Sequence, residues 1–215
     1  VAILILFSVL ICGAGNAANY PSAWWQPVAR EQAAAWEILP QDVRPGEVIV
    51  SKRNELGLLS NFAATPFEFH GKKYASLEGF WQAMKYPESS KDPRSKAEWK
   101  FTRQQVEQMS GFEAKRAGDL ASDNLKKLGI DWVSFEGRRF EYRPKTPGEH
   151  YRLVVEAMRA KVNQNPEVKR LLLATGTLVL KPDHKQEPDA PAAWRYCEIL
   201  MQIRAELQSS APSGQ

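Results

Sequence analysis

Glu78, Trp81, Gln82 and Lys85 fall at positions i, i+3, i+4 and i+7, the spacing that puts side chains on one face of an α-helix. An acid, a flat ring, an amide and a cation make an unusual stripe for a core helix. A carboxylate held in that company can stabilise developing positive charge and orient or deprotonate a water molecule. A plainer reading stands beside it. Glutamate is favoured in the first turn of any helix by the helix dipole, and a Glu and a Lys two turns apart are usually just solvated.

The elements that must position the stripe are legible around it. Ser60-Asn61-Phe62 opens the segment. Phe67-Glu68-Phe69-His70 and Lys73-Tyr74 flank a His70-Gly71 turn; Gly takes the positive φ such turns need, which predicts a hairpin. Ser76 is a good N-cap, so a helix is predicted over Leu77 to Lys85.

Ser76-Leu77-Glu78-Gly79-Phe80-Trp81-Gln82-Ala83-Met84-Lys85-Tyr86 resembles the signature of the NADAR (YbiA-like) family. In that family an SNF-type motif precedes a strand pair and a helix of the form S/T-L/V-E-x-F/Y-F/W-Q-A-x-K-F/Y; Gly79 stands where a His is common. Three further stretches resemble the family in the expected order. Glu113 to Gly118 is similar to its Ala/Lys/Gly helix. Ala157 to Lys161, continuing through Gln164-Asn165-Pro166 and Leu171 to Gly176, is similar to its late helix pair. Ile199 to Arg204 is similar to its closing helix. The resemblance spans residues 47 to 207.

The resemblance implies a mainly α (α+β) fold: a single compact YbiA-like helical domain with a few short β-hairpins. It also implies an N-glycosidase that needs no metal and no cofactor. Its substrates would be phosphoribosylamino-pyrimidines, or ADP-ribose attached to a nucleobase. Cleaving an N-glycosidic bond develops positive charge on the ribose, as in the oxocarbenium-like states of glycoside hydrolysis. Glu78 would stand beside that carbon, and its place at a helix N-terminus would help keep it ionised. Lys85 would hold a phosphate or the leaving group, with Lys115 a second phosphate candidate and Gln82 a further substrate contact. Asn61 would bind a ribose hydroxyl or the base edge, and Phe62 or Trp81 would stack on a ring. Core packing remains the default for each aromatic, and a solvated helix position remains open for Lys115.

One stretch departs from the family. Many members carry an acidic residue and a Trp-Gly pair in a glycine-rich loop, followed by Asn-x-Leu-Gly, before the closing helix. Here the region runs from Glu187 to Glu198 without a glycine, and Trp194 falls where the Asn would be. Asp189, as a second catalytic acid, and Trp194, as a substrate contact, would replace the family residues in altered geometry. Equally, Asp189 would serve only as the N-cap of the last helix, and the domain would bind without cutting.

Composition narrows the field. A chain of 215 residues, 43% hydrophobic and 25% charged, suits one domain with a sizeable core. No tract from Asn19 onward approaches the length of a membrane span. Ala2 to Cys12 is almost wholly apolar, and Gly15-Asn16-Ala17 before Ala18 resembles a cleavage site. Residues 1–17 therefore read as a signal peptide, although without the usual basic start, and export to the periplasm or outside the cell is expected. Cleavage there leaves Cys197 as a lone cysteine, expected to be a buried, inert thiol. The net charge of +4 comes from scattered Lys and Arg, and no nucleic-acid motif accompanies it. His70, His150 and His184 show no ligand spacing, and no metal site is expected.

The organisation follows. Residues 18–46 form a Trp- and Pro-rich leader with Trp24, Trp25 and Trp36, expected to pack against the domain, with a short helix over Gln32 to Leu39. Residues 47–208 form the YbiA-like domain, beginning with a strand at Glu47 to Ser51. Thr102 with Gln105 and Ser110 with Glu113 read as capping boxes. A hairpin is predicted over Asp131 to Tyr142. Helices are predicted from Pro147, from Pro166 and from Pro191, the last running to Gln208, and residues 209–215 form a disordered tail. Two non-enzymatic readings stay open: an ADP-ribose or nucleotide binding module, and an interaction protein that docks its partner through the Trp-rich leader.

Overall fold

The computed structural model describes residues 20–210. The signal-peptide reading of residues 1–17, with Cys12, lies outside the described residues, as do residues 211–215.

Six α-helices and three two-stranded sheets make up the described chain. The helices are α1 (Leu77–Ala83), α2 (Arg103–Glu107), α3 (Gly111–Lys127), α4 (Glu149–Gln164), α5 (Pro166–Ala174) and α6 (Tyr196–Ser209). The strands are β1 (Glu47–Ile49), β2 (Phe67–Phe69), β3 (Lys72–Tyr74), β4 (Trp132–Phe135), β5 (Arg138–Glu141) and β6 (Val179–Lys181). The fold is α+β and mainly helical.

Both expected hairpins form. β2 pairs antiparallel with β3 through His70 (φ 50°) and Gly71 (φ 71°), and β4 with β5 through Glu136 (φ 51°) and Gly137 (φ 75°). The third sheet was not foreseen. It is a parallel pair in which Glu47, Val48 and Ile49 face Val179, Leu180 and Lys181.

α1 lies between two hydrophobic cores. Leu77, Phe80, Trp81 and Met84 belong to the larger, with Phe67, Phe69, Tyr74 and Phe135. Ala83 and Tyr86 belong to the smaller, with Val106, Met109 and the alanines of α3. Every residue of α1 is buried as a result. Ser76 starts the helix as expected, its Oγ accepting from the Gly79 N–H at 2.9 Å while donating to the Met109 carbonyl at 2.8 Å.

Several local expectations are corrected. Gln32 to Leu39 is not a helix; 3-10 turns occupy Arg30–Gln32 and Pro40–Asp42, and Glu37 between them bridges to His184. Thr102 makes its capping box with Gln105, but Ser110 makes no side-chain cap. α4 begins at Glu149, with Gly148 rather than Pro147 at its boundary. The last helix starts at Tyr196, because Ala192–Trp194 forms a separate 3-10 turn broken from it at Arg195 (ψ 60°).

The leader packs on the domain. Trp24 is buried in the larger core and donates to Glu55 at 2.7 Å, and Trp25 donates to the Glu47 carbonyl at 2.9 Å. Cys197 is free and buried, and burial pushes its thiol pKa up. No described helix is long and apolar enough to cross a membrane.

Candidate functional site

A cleft of about 470 Å³ opens where the Ser60–Phe62 turn, the start of α1, the N-terminal half of α3, the leader and the approach to α6 converge. Its lining includes Glu78, Asn61, Phe62 and Lys115, four of the residues singled out from sequence.

The floor is built by backbone. The Glu78 N–H, one of the donors a helix start leaves unpaired, donates to the Asn61 carbonyl at 2.9 Å. That bond fixes the acid beside the asparagine. Phe62 is fixed in turn, its carbonyl accepting from the Gly111 N–H at 2.9 Å. Beneath the turn, Lys161 reaches from α4 and donates to the Ser60 carbonyl at 2.7 Å. Lys161 is buried, and desolvation lowers its pKa to about 7. Asn61 Oδ1 is shielded from solvent yet has no partner among the described residues.

Glu78 is 6% exposed. Burial raises its pKa above the ordinary carboxylate value, outweighing the hydrogen bond from Gln82 and the charges of Lys85 and Lys115. The helix N-terminus is expected to favour the ionised form, but desolvation is the largest influence here and the pKa moves up rather than down.

The rest of the stripe runs inward. Gln82 donates to Glu78 Oε1 at 2.7 Å, and its own Oε1 is buried without a partner among the described residues. Lys85 donates to the Gly118 carbonyl at 3.1 Å and to Ser122 Oγ at 2.8 Å, with its ammonium 5.0 Å from the Tyr142 ring centroid. Burial brings its pKa down to about 8. Trp81 donates to the Tyr142 hydroxyl at 3.3 Å and packs 5.2 Å from the buried His150 ring. Trp81, Gln82 and Lys85 thus stand behind Glu78 rather than on the cleft wall.

The approach to α6 places its candidates elsewhere. Asp189 is exposed and does not line the cleft. Trp194 packs against Tyr142 at 5.6 Å and under Arg143 at 5.1 Å, also away from the cleft lining. The altered loop therefore brings neither side chain to Glu78.

Sequence reasoning missed Trp36, Lys52, Phe112, Asp119, His184 and Tyr196, which complete the lining. Lys52 forms an ion pair with the buried Asp183 and lies 4.8 Å from the Phe62 ring centroid. His184 Nδ1 is 3.2 Å from Asp183 Oδ1, and its ring is nearly parallel to Tyr196 (interplanar angle 16°). Asp119 pairs with Lys115 one turn earlier on α3; i,i+4 spacing from Lys115 was its only sequence signal. A larger groove of about 540 Å³ runs along β1 and β6 and shares His184, but neither Glu78 nor Asn61 reaches it. Among the described residues, no group of His, Cys, Asp or Glu is arranged to hold a metal ion.

A buried acid whose pKa is raised, beside an unpaired amide acceptor and under aromatic and cationic walls, suits a ligand that combines a ring, hydroxyls and negative charge. No protein-family profile matches the chain, and no curated protein matches it. Among solved structures, the chain is similar to the NMR structure of the E. coli protein YbiA. The TM-score is 0.50 and the identity 20%, with 78% of this chain and 89% of that one covered. At that identity the likeness establishes the fold, and the chain has a YbiA-like α+β architecture.

Proposed function

We propose that the chain is an N-glycosidase that hydrolyses a ribose–nitrogen bond, in an ADP-ribosylated nucleobase, an NAD-like molecule or a phosphoribosylamino compound. The observation that carries this reading is the backbone bond from Glu78 to Asn61, which holds a buried carboxylate beside an unpaired amide oxygen on the cleft floor. In the reaction, the bond from C1′ to nitrogen breaks and its electrons leave with the nitrogen. The ionised Glu78 stabilises the cationic ribose and takes a proton from water as the water oxygen bonds to C1′. That proton passes to the departing nitrogen of a neutral N-glycoside, or to solvent where the departing base is a pyridinium, giving a free ribose hydroxyl and a neutral base. Asn61 orients the ribose or the base edge, and Lys115 at the rim favours phosphate.

A second reading has its own support. Neither Asp189 nor Trp194 lies on the cleft, which suits a module that binds the same ligands without cleaving them. The parent and Glu78→Gln proteins, incubated with ADP-ribosylated guanosine, NAD and a phosphoribosylamino-pyrimidine, separate the two by mass spectrometry of released base. Release by the parent alone supports the glycosidase. Binding without release by either protein overturns it in favour of the module.

The apolar run from Ala2 to Cys12 extends the proposal to exported protein acting on NAD-derived or ADP-ribosylated material outside the cytoplasm. Recovery of uncleaved protein from the cytoplasm removes that extension.

A further inference from the structure

Trp36 is 50% exposed and Phe112 is 59% exposed. They come from distant parts of the chain, the leader and the first turn of α3, yet their ring centroids stand 6.4 Å apart at an angle of 62°. Phe112 continues the contact to Phe62, with centroids 5.2 Å apart and rings perpendicular within a degree (89°). All three line the Glu78 cleft. Exposed aromatic surface forgoes about 25 cal/mol for every Å² left in water, so a pair of large rings held open at a cleft mouth is a cost to the free protein.

Trp36 is also held in place. The next residue, Glu37, takes a two-pronged ion pair from Arg53, with Nε at 2.6 Å and Nη2 at 2.7 Å. Glu37 bridges to His184, and the Ile38 N–H donates to the Asp183 carbonyl at 2.8 Å. Arg53 also donates to the Gln32 carbonyl at 2.8 Å, which ties down the other side of the turn. The leader segment is thus fastened to the cleft wall on both sides of the Trp, while the ring itself stays open to solvent. Rigid rings of this kind stack on planar ligands at low cost in conformational entropy.

We propose that Trp36 and Phe112 form a subsite that grips the planar base of a nucleotide ligand. The leader, which lies outside the stretch resembling the NADAR family, thereby selects base-bearing ligands over bare phosphoribosyl ones. Asn61 Oδ1, the unpaired acceptor of the same cleft, takes a hydrogen bond from a base N–H or a ribose hydroxyl, and Lys115 faces the phosphate. This inference deepens the ligand class of the proposed site and rests on that cleft being the binding site.

The test is equilibrium binding, so that turnover plays no part. The Glu78→Gln protein is titrated by calorimetry with AMP, GMP, CMP and ribose 5-phosphate, alone and combined with Trp36→Ala, Phe112→Ala or Trp36→Phe. Each alanine substitution is expected to weaken binding of at least the purine nucleotides by about tenfold, the scale of one base–aromatic stack. Ribose 5-phosphate affinity stays unchanged, and Trp36→Phe keeps most of the nucleotide affinity. The subsite is overturned by nucleotides that do not bind the starting protein, by nucleotide affinity indifferent to both alanine substitutions, or by equal weakening of ribose 5-phosphate. Trp36-dependent nucleotide binding, with no base released by the parent protein, would leave the subsite standing and sink the glycosidase. Base release with Trp36-independent binding would do the reverse.

Discussion

Gln82 donates its side-chain amide to the Glu78 carboxylate at 2.7 Å, one helical turn away and fully inside the protein. The pair has room only because residue 118 is a glycine. A Cβ there would lie 1.8 Å from Gln82 Oε1 and 2.1 Å from its Cδ. α3 therefore decides, through a missing methyl group, whether Glu78 keeps its donor.

Replacing Gln82 by Leu removes a hydrogen bond that favours the ionised carboxylate. Activity near neutral pH should fall about tenfold, the equivalent of a charge-assisted bond worth ~1.5 kcal/mol. The acidic limb of the kcat/KM profile should move to higher pH. Gly118→Ala, which pushes the amide aside, should reproduce the shift. A profile unmoved by both would mean that Gln82 does not tune Glu78.

Glu78→Gln should stabilise the fold at neutral pH while abolishing base release. The folded-state pKa of Glu78 is raised by burial above its ordinary 4.5, so ionising it costs more in the fold than in the open chain. That penalty is absent below about pH 4.5 and sets in as the pH climbs through the folded value. Melting temperatures of the two proteins should coincide in acid and diverge, variant higher, toward neutrality. A variant that melts lower than the parent at neutral pH contradicts this.

His150 and Lys161 should act at opposite ends of the pH scale. His150 is buried, both ring nitrogens lack partners among the described residues, and desolvation lowers its pKa from 6.5 to about 4. The unfolded chain takes up the proton first, so stability drops as the pH falls from 6.5 toward 4. At 1.36 kcal/mol per unit the loss is about 3 kcal/mol. Acid titration of stability should lose that component in His150→Phe.

Lys161 mirrors it in alkali. Its pKa of about 7 lies below the ordinary 10.5, so between those values the unfolded chain holds a proton that the fold has released. The parent should gain stability relative to Lys161→Met as the pH rises through that window and then level off. A constant difference across the window would show that Lys161 is charged in the fold.

Gly79 stands where the resembled family often has His, and the packing of α1 shows why that side chain does not fit here. A Cβ at this position would meet the Met109 carbonyl at 2.5 Å and the Val106 carbonyl at 2.9 Å, both backbone. Alanine would gain ~1 kcal/mol of helix propensity, but overpacking against atoms that cannot rotate away costs about 1–3 kcal/mol. The clash should win. Urea unfolding of Gly79→Ala should show a net loss, and a gain would mean that α2 can shift.

The parts of this architecture that could be read in advance are those with local causes. Ser76 caps α1 through its own hydroxyl, and His70-Gly71 and Glu136-Gly137 turn their hairpins through left-handed backbone. Glu78, Asn61, Phe62 and Lys115 meet in one cleft because they lie on or beside such elements. What escaped has distant causes. β1 shows in the sequence as a short strand, but β6 is three residues long, too short for a periodic signal, and the two pair from far apart in the chain. Trp36 reaches the cleft through tertiary bonds to Arg53, Asp183 and His184 that leave no mark in its own neighbourhood. The inward turn of Trp81, Gln82 and Lys85 follows from α1 being enclosed by two cores, which spacing along one helix cannot reveal.

The pairing of Glu47 with Val179 also orders events during synthesis. β1 leaves the ribosome early and waits for β6. Closing so long a loop is slow, because its entropy is lost before any contact repays it. Lys52 and its partner Asp183 sit just beyond the two strands, so the wall facing Glu78 is completed only when residues 179–183 have emerged. A nascent chain halted before residue 179 holds the acid and its helix but no chamber around them. The cleft therefore closes late, after its acid is already in place.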